Sequence, residues 1–246
     1  MRSLILSDIH ANWEALEAVL RQAKDTYDEV ICCGDLVGYG PDPNRVTEWV
    51  RSECKAVIRG NHDKVATGLD DSEWFNPVAK AAAQWTIEVL TGGNADYLRE
   101  LPKGPLELES FQIAHGSPLD EDAYLISLED AGDAFEYIER PLTFIGHTHI
   151  QGGFGFCSRK VWPLQCPPIH LGLEGFDLRP DDLYLVNPGA VGQPRDGDPR
   201  AAFALFDSEE RCVYFGRAEY PIERVQRKII DAGLPDLLAH RLAFGR

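Results

Sequence analysis

Short apolar runs that end in metal-binding side chains constrain the fold of this chain more than any other feature of its sequence. Leu4, Ile5 and Leu6 predict a buried strand, and Asp8 and His10 follow this strand two residues apart. Because side chains alternate along an extended chain, we expect Asp8 and His10 to point in the same direction. The sequence therefore places two strong metal ligands where the first predicted strand ends.

The same arrangement of a strand followed by polar residues recurs along the chain. Predicted strands at 29–33 and 56–58 alternate with helical patterns at 12–24 and around Trp49, which indicates a parallel α/β sheet. Ligand sites of such sheets lie at the carboxyl ends of the strands. The polar blocks that follow predicted strands are Asp8-x-His10, Gly34-Asp35, Gly60-Asn61-His62-Asp63, His115 and Gly146-His147-x-His149.

The residue types in these blocks predict two metal ions. Five of the seven histidines lie in the blocks, while His240 and His170, interpreted as a loop histidine, lie outside them. Asp, His and Asn together suit a divalent Mn, Fe, Zn, Co, Ni or Mg ion, and the lack of thiolates argues against a structural zinc site. Seven candidate ligands are too many for one ion, so we expect two ions that share the Asp35 carboxylate.

In their order and spacing, the blocks resemble the signature of the calcineurin-like metallophosphoesterase superfamily. The later segment from Asn187 to Arg195 resembles its compact bacterial and archaeal branch. The resemblance implies a fold of class α/β, a four-layered α/β/β/α sandwich with two facing mixed β-sheets. It also implies hydrolysis of phosphate monoesters or diesters by a metal-activated hydroxide. We expect one such domain over residues 1–246.

The resemblance also implies a role for each block residue. One metal would be held by Asp8, His10, Asp35 and His149, and the other by Asp35, Asn61, His115 and His147. His62 would contact the scissile phosphate and protonate the leaving oxygen. Asp63 would orient His62 and raise its pKa, so that a proton is available near neutral pH.

Three further features have more than one interpretation. Arg195 either binds a substrate phosphate, or is a solvated surface residue, or forms a salt bridge with Asp196 or Asp198. Asn12 either touches the substrate or caps the helix that follows it. Residues 151–181, rich in Gly and Pro, are expected to be irregular and to form a flap or hairpin beside the active site.

Charge and composition limit the partners of this chain. Its net charge of −16 argues against binding of long nucleic acids. A small phosphorylated substrate, a nucleotide among them, remains compatible because bound cations reverse the sign of charge locally. No apolar run is long enough to span a membrane, and scattered cysteines without a secretory signal favour a cytoplasmic protein. The sequence leaves open whether the chain forms a homo-oligomer.

The alternative hypothesis is a metal-binding interaction scaffold on the same fold, with weak or no hydrolase activity. Scaffolds of this kind usually lack some of the ligands or the acid histidine. This chain carries all seven ligands and His62. The sequence therefore favours an enzyme.

Overall fold

The computed structural model describes residues 1–166 and 172–246, so the prediction for His170 lies outside the described residues. The strands are Arg2–Leu6 (β1), Glu29–Cys32 (β2), Ala56–Val57 (β3), Leu106–Glu107 (β4), Gln112–Ile113 (β5), Leu142–Phe144 (β6), Gly152–Cys157 (β7), Lys160–Gln165 (β8), Leu173–Asp177 (β9), Leu183–Asn187 (β10), Ala201–Asp207 (β11) and Cys212–Ala218 (β12). The helices are Trp13–Gln22 (α1), Pro43–Glu53 (α2), Asn61–Thr67 (α3), Pro77–Val89 (α4), Gly92–Glu100 (α5), Leu128–Phe135 (α6), Ile222–Asp231 (α7) and Asp236–Leu242 (α8).

The described strands form two mixed sheets of six strands each. The first sheet has the order β3-β2-β1-β11-β12-β9, and the second has the order β4-β5-β6-β10-β7-β8. The strands β1, β2 and β3 are parallel to one another, as are β5, β6 and β10. Each sheet therefore has a parallel half whose strand ends are available for a site, and an antiparallel half that extends it.

Because side chains alternate between the two faces of the central strands, the apolar residues form three layers. In β1, Leu4 and Leu6 pack among helices on the outer face of the first sheet, whereas Ile5 points into the space between the sheets. Phe144 and Phe206, one from each sheet, meet in that inner layer. Helix α6 covers the outer face of the second sheet. The predicted four-layered α/β/β/α sandwich is confirmed.

Two C-terminal helices are attached to the first layer by a buried ion pair. Lys228 of α7 lies 3.0 Å from the Glu14 carboxylate of α1, which is 2 % exposed. The same ammonium also contacts the carboxylate of Asp42. A buried carboxylate needs such a partner, so this pair fixes where α7 and the adjoining α8 lie on the body of the protein.

Residues 151–181 differ from the expected irregular segment. Strands β7 and β8 form a hairpin at the edge of the second sheet, and β9 lies at the edge of the first. Glycines at 152, 153 and 155 fit this hairpin, since an alanine at Gly155 would overlap the ring of Trp162. The expectation of irregular chain is therefore wrong for the described part of the segment, whereas the hairpin alternative is confirmed for residues 152–165. No described helix is long and apolar enough to cross a membrane.

We predict that Phe203→Ala lowers the free energy of unfolding by about 3–5 kcal/mol. Phe203 of β11 is fully buried, and its ring lies on Gly216 of the paired strand β12. Urea unfolding measures the change. Leu237→Ala on α8 is the control, because Leu237 is 57 % exposed and its loss should change stability by less than about 0.5 kcal/mol. Equal effects of the two substitutions would contradict the assigned core.

Candidate metal centre

The carboxyl ends of five strands converge at one end of the sandwich. Strands β1, β2 and β3 belong to the first sheet, and β5 and β6 belong to the second. The side chains that follow them are Asp8 and His10 after β1, Asp35 after β2, Asn61 at the start of α3 after β3, His115 after β5, and His147 and His149 after β6. The candidate centre therefore lies where the two sheets meet, and neither sheet alone supplies it.

Six of the predicted ligands form two groups that share one carboxylate. The groups are Asp8, His10, Asp35 and His149, and Asp35, His115 and His147. The Oδ2 atom of Asp35 lies 3.5 Å from His10 Nε2 and 3.3 Å from His115 Nε2. Asn61 joins the second group, because its Oδ1 lies 3.2 Å from His115 Nε2. This division is the one implied by the family resemblance, with Asp35 between the groups.

The backbone at most of these residues is in the left-handed region. Asp8, His10, Asp35, His147 and His149 have φ between 48° and 67°. Each such residue costs roughly 1–2 kcal/mol relative to an ordinary conformation. Asp8 and His10 do converge, as predicted. The predicted cause, alternation of side chains along the strand, is wrong because β1 ends before them. Tight left-handed turns aim the two side chains instead, and the strain is concentrated at the candidate site.

The hydrogen bonds of the histidine rings leave their lone pairs facing one another. The Nδ1 atoms of His10, His115 and His149 lie 2.9, 2.8 and 2.6 Å from backbone carbonyl oxygens, so Nδ1 carries the proton in each neutral ring. Their Nε2 atoms are then acceptors, yet His10 Nε2 lies 3.1 Å from His149 Nε2. His147 uses Nε2 to donate to the Asp122 carbonyl, which leaves Nδ1 for the centre. Converging acceptors of this kind fit divalent cations.

The pKa values of the rings also indicate that a positive charge belongs here. Burial lowers the pKa of His10, His149 and His147, in the last case to about 3. Burial acts on His115 in the same direction, but the adjacent Asp35 carboxylate raises the pKa of His115 to about 10. With protein atoms alone, one proton on His115 thus takes the place of a cation. The clustered residues therefore fit a centre of two metal ions, because without a cation their hydrogen-bond acceptors face one another.

Asp63 does not contact the His62 ring. Its carboxylate accepts hydrogen bonds from the backbone N–H groups of Gly60, Leu36 and Val37, at 2.9, 3.0 and 3.2 Å. As the third residue of α3, Asp63 reaches back to the helix N-terminus. Burial lowers the pKa of His62 to about 4. The prediction that Asp63 orients His62 and raises its pKa is therefore wrong, and Asp63 holds the backbone on both sides of the centre.

Asn12 occupies a structural position. Its side-chain oxygen accepts from the backbone N–H of Ala15, and its amide donates to the Gly192 carbonyl at 2.9 Å. The residue is 2 % exposed. The N-cap interpretation is thus the one that the structure supports, and the prediction of a substrate contact by Asn12 is wrong because both polar atoms are already bonded.

Arg195 lies beside the centre, and its predicted salt bridges are absent. Asp196 pairs with Arg217, and Asp198 pairs with Arg200 at 2.6 Å. The backbone N–H of Arg195 donates to the carbonyl of the ligand residue His149 at 3.1 Å. The predicted salt bridges of Arg195 are therefore wrong, its side chain is half-buried, and a role in substrate binding remains a proposal.

Aromatic rings pack against two histidines of the site. Tyr39 and Phe75 lie with ring centroids 4.4 and 4.5 Å from that of His62, and Tyr124 stacks on His147 at 3.9 Å. Sequence analysis missed Tyr39 and Tyr124. The position of Tyr39 between two glycines, four residues after Asp35, is the signal that points to it. These rings fix the orientation of His62 and His147.

A cleft of about 450 Å³ opens at the second ligand group. Its lining residues are Asn61, Val65, Asp70, Asp71, Trp74, Phe75, Asp120, Asp122, Tyr124 and His147. Another cavity, of about 610 Å³, lies behind the loop that carries Thr148 and contains none of the six clustered ligands. Because catalysis needs contact with the reacting groups, the cleft at Asn61 and His147 is the candidate substrate cleft.

Comparison with known proteins agrees with the site. The family model for the calcineurin-like phosphoesterase superfamily domain matches residues 1–211. The chain therefore belongs to the calcineurin-like phosphoesterase superfamily. It is 35 % identical over 248 residues to the uncharacterized protein MJ0912 of Methanocaldococcus jannaschii, a match that covers 98 % of this chain and 97 % of that protein.

Solved structures share the fold along the full chain. A metallophosphoesterase from Sphaerobacter thermophilus has 38 % sequence identity and a TM-score of 0.86, covering 100 % of this chain and 99 % of the other. The hypothetical protein PH1004 from Pyrococcus horikoshii OT3 has 21 % identity and a TM-score of 0.78, covering 100 % and 98 %. At that lower identity the likeness concerns the fold alone.

We predict that Gly60→Ala weakens metal binding about 10–100-fold. A Cβ atom at Gly60 would overlap Oδ1 of Asp35, the carboxylate shared by both ligand groups. Gly60 has φ of −107°, so the effect is steric and not a matter of backbone preference. Metal content after dialysis against graded manganese measures the change. Gly93→Ala is the control, because nothing lies within 4 Å of a Cβ there, and equal metal content in the two variants would contradict the assigned bridge.

Proposed function

We propose that this chain hydrolyses small phosphate monoesters or diesters with two divalent metal ions. The observation that carries the proposal is the shared Asp35 carboxylate between two groups of buried ligands, with the His62 ring beside them. Membership of a superfamily of phosphoesterases supports the reaction class. The cleft of about 450 Å³ at Asn61 and His147 supports a small substrate, of the size of a nucleotide or less.

The residues of the chain divide the chemistry between them. Asp8, His10, Asp35 and His149 would hold one divalent ion and Asp35, His115 and His147 the other; when bound, the ions would lower the pKa of a water molecule and offset the charge of the phosphoryl oxygens. Asp35 and the carbonyl-bonded histidines fix the ligand positions, so that the centre needs no rearrangement during the reaction. Arg195 contributes a binding group for a substrate anion.

His62 acts on the leaving group. Its ring is packed between Tyr39 and Phe75, and burial lowers its pKa to about 4 in the protein alone. A bound phosphate adds negative charge beside the ring and therefore raises the pKa of His62. In this proposal His62 gives its proton to the leaving oxygen as the ester bond breaks.

We predict hydrolysis of p-nitrophenyl phosphate or bis(p-nitrophenyl) phosphate after loading with manganese. Release of p-nitrophenol should stop when a chelator removes the metal and return when manganese is restored, because in this proposal the ions held by the two ligand groups activate the attacking water. Asp35→Asn, which alters the shared ligand, serves as the inactive control. Absence of turnover with every divalent metal tested would contradict the proposal and favour the metal-binding scaffold.

We predict that His62→Ala keeps its metal content and loses about 10²–10⁴-fold in kcat. The proton donor is removed while every clustered ligand remains. Metal analysis and p-nitrophenyl phosphate hydrolysis are measured on the same sample. His240→Ala, at an exposed histidine of α8, is the matched control and should behave like the starting protein. If His62→Ala loses metal, the role assigned to His62 is wrong.

A further inference from the structure

The ring of His147 is held differently from the rings of the other clustered histidines. Its Nε2 atom lies 3.1 Å from the backbone carbonyl oxygen of Asp122, so that Nδ1 faces the centre. The other three rings bond through Nδ1 to carbonyls of residues that are at most 2 % exposed. Asp122, in contrast, is an exposed residue of the loop between β5 and α6. The placement of this loop therefore decides the orientation of one ligand ring.

Lys64 of α3 connects this loop to the helix that begins with the ligand Asn61. The lysine is only 5 % exposed. Its ammonium nitrogen lies 2.5 Å from Oδ2 of Asp122 and 3.4 Å from Oε1 of Glu121. A third carboxylate, that of Asp70, lies 3.4 Å away. Removing one partner of such a buried cluster would leave charges uncompensated, so these contacts hold the loop against α3.

Arg59 makes a second connection between the same two segments. Its guanidinium donates from Nε and Nη2 to the two carboxylate oxygens of Glu121, at 3.1 and 2.9 Å. Glu121 is 7 % exposed, and Arg59 keeps it paired when Lys64 is changed. The carboxylate of Asp122 differs, because Lys64 is its one cationic partner in the part of the chain that the structure describes. The position of Asp122 therefore depends on Lys64 more than that of Glu121 does.

The contacts of Lys64 concern one of the two ligand groups. Asn61 starts the same helix three residues earlier, and His115 stands directly before the loop that Lys64 holds. Both belong to the second ligand group, which also contains the ring that the loop orients. The rings of His10 and His149, in the first group, bond to carbonyls of other segments. A change at Lys64 is therefore expected to affect the second group and to spare the first.

We propose that Lys64 is a positioning residue of the metal centre, which orients His147 by holding Asp122 in place. The ion concerned is the one that the second ligand group would bind. The inference rests on the proposed function, because it describes how one half of that centre is built. The carboxylates that the ammonium of Lys64 contacts are not among the clustered ligands, so Lys64 acts through the loop and not by direct coordination.

Manganese binding to the Lys64→Met protein tests this role without turnover. Methionine keeps most of the apolar stem of the side chain and removes its charge. We expect the variant to bind one ion as tightly as the starting protein and the other about 10–100-fold more weakly. Metal content after dialysis against graded manganese measures the two affinities. Electron paramagnetic resonance should then show isolated manganese in the variant at concentrations where the starting protein holds a coupled pair.

Matched variants separate positioning from general stability. Lys55→Met removes a lysine that lies 2.5 Å from Glu29 at the amino end of β2, away from the centre, and should bind both ions normally. Lys64→Arg restores the positive charge and should recover most of the weakened affinity. If Lys64→Met does not fold, Asp122→Asn takes its place, because it breaks the same ion pair at a side chain that is 44 % exposed.

The results that would contradict the role of Lys64 differ from those that would contradict the reaction. Normal binding of both ions by Lys64→Met, equal weakening of both ions, or no recovery in Lys64→Arg would overturn the positioning role. A starting protein that binds two ions but hydrolyses neither nitrophenyl ester would overturn the proposed function. Selective loss of one ion in Lys64→Met would support the positioning role in that case too.

Discussion

Two buried carboxylates and several imidazole lone pairs approach one another closely, and the rest of the structure depends on this approach. Asp8 and Asp35 are fully buried, and Asp35 Oδ2 lies 3.5 Å from His10 Nε2 and 3.3 Å from His115 Nε2, which are both acceptors while the rings are neutral. Removing such groups from water costs several kcal/mol unless a cation compensates. The proton that His115 takes up in the protein alone compensates in part. Two divalent ions compensate more fully, which links metal binding to the stability of this end of the sandwich.

The architecture explains how the chain tolerates that arrangement. The inner apolar layer fixes the two sheets against each other, and the ligands lie at the rim where β1, β2, β3, β5 and β6 end. Left-handed turns at five ligand residues turn their side chains inward, and the bonds from Nδ1 to backbone carbonyls hold the rings. Strain of this kind persists only when rigid elements surround it. The packed sheets are therefore a condition for the site.

The sequence could predict those parts of the site that follow from the pattern of apolar runs and polar residues. Apolar runs followed by Asp and His indicate both the parallel half-sheets and the edge where the ligands lie, because strand polarity fixes that edge. Asp63 shows the limit. Its position next to His62 in the sequence suggests that it orients the ring. In the structure Asp63 lies in the first turn of α3, and its carboxylate accepts hydrogen bonds from backbone N–H groups. Left-handed backbone at Asp8 depends on contacts far apart in sequence, which periodicity does not report.

Charge is distributed unequally around the centre, which would affect the orientation of a bound substrate. The cleft at Asn61 and His147 is lined by four aspartates, of which Asp122 is 2.5 Å from Lys64. The opposite side, around Tyr39, carries Arg195. Since like charges repel and the cleft also presents Trp74 and Tyr124, an asymmetric ester is favoured in one orientation. In the proposed reaction the anionic part of the ester would lie towards Arg195, and its uncharged or cationic part would lie in the aromatic cleft. The unequal charge around the centre thus favours one orientation of the substrate, whereas the nearly symmetric pair of ligand groups does not.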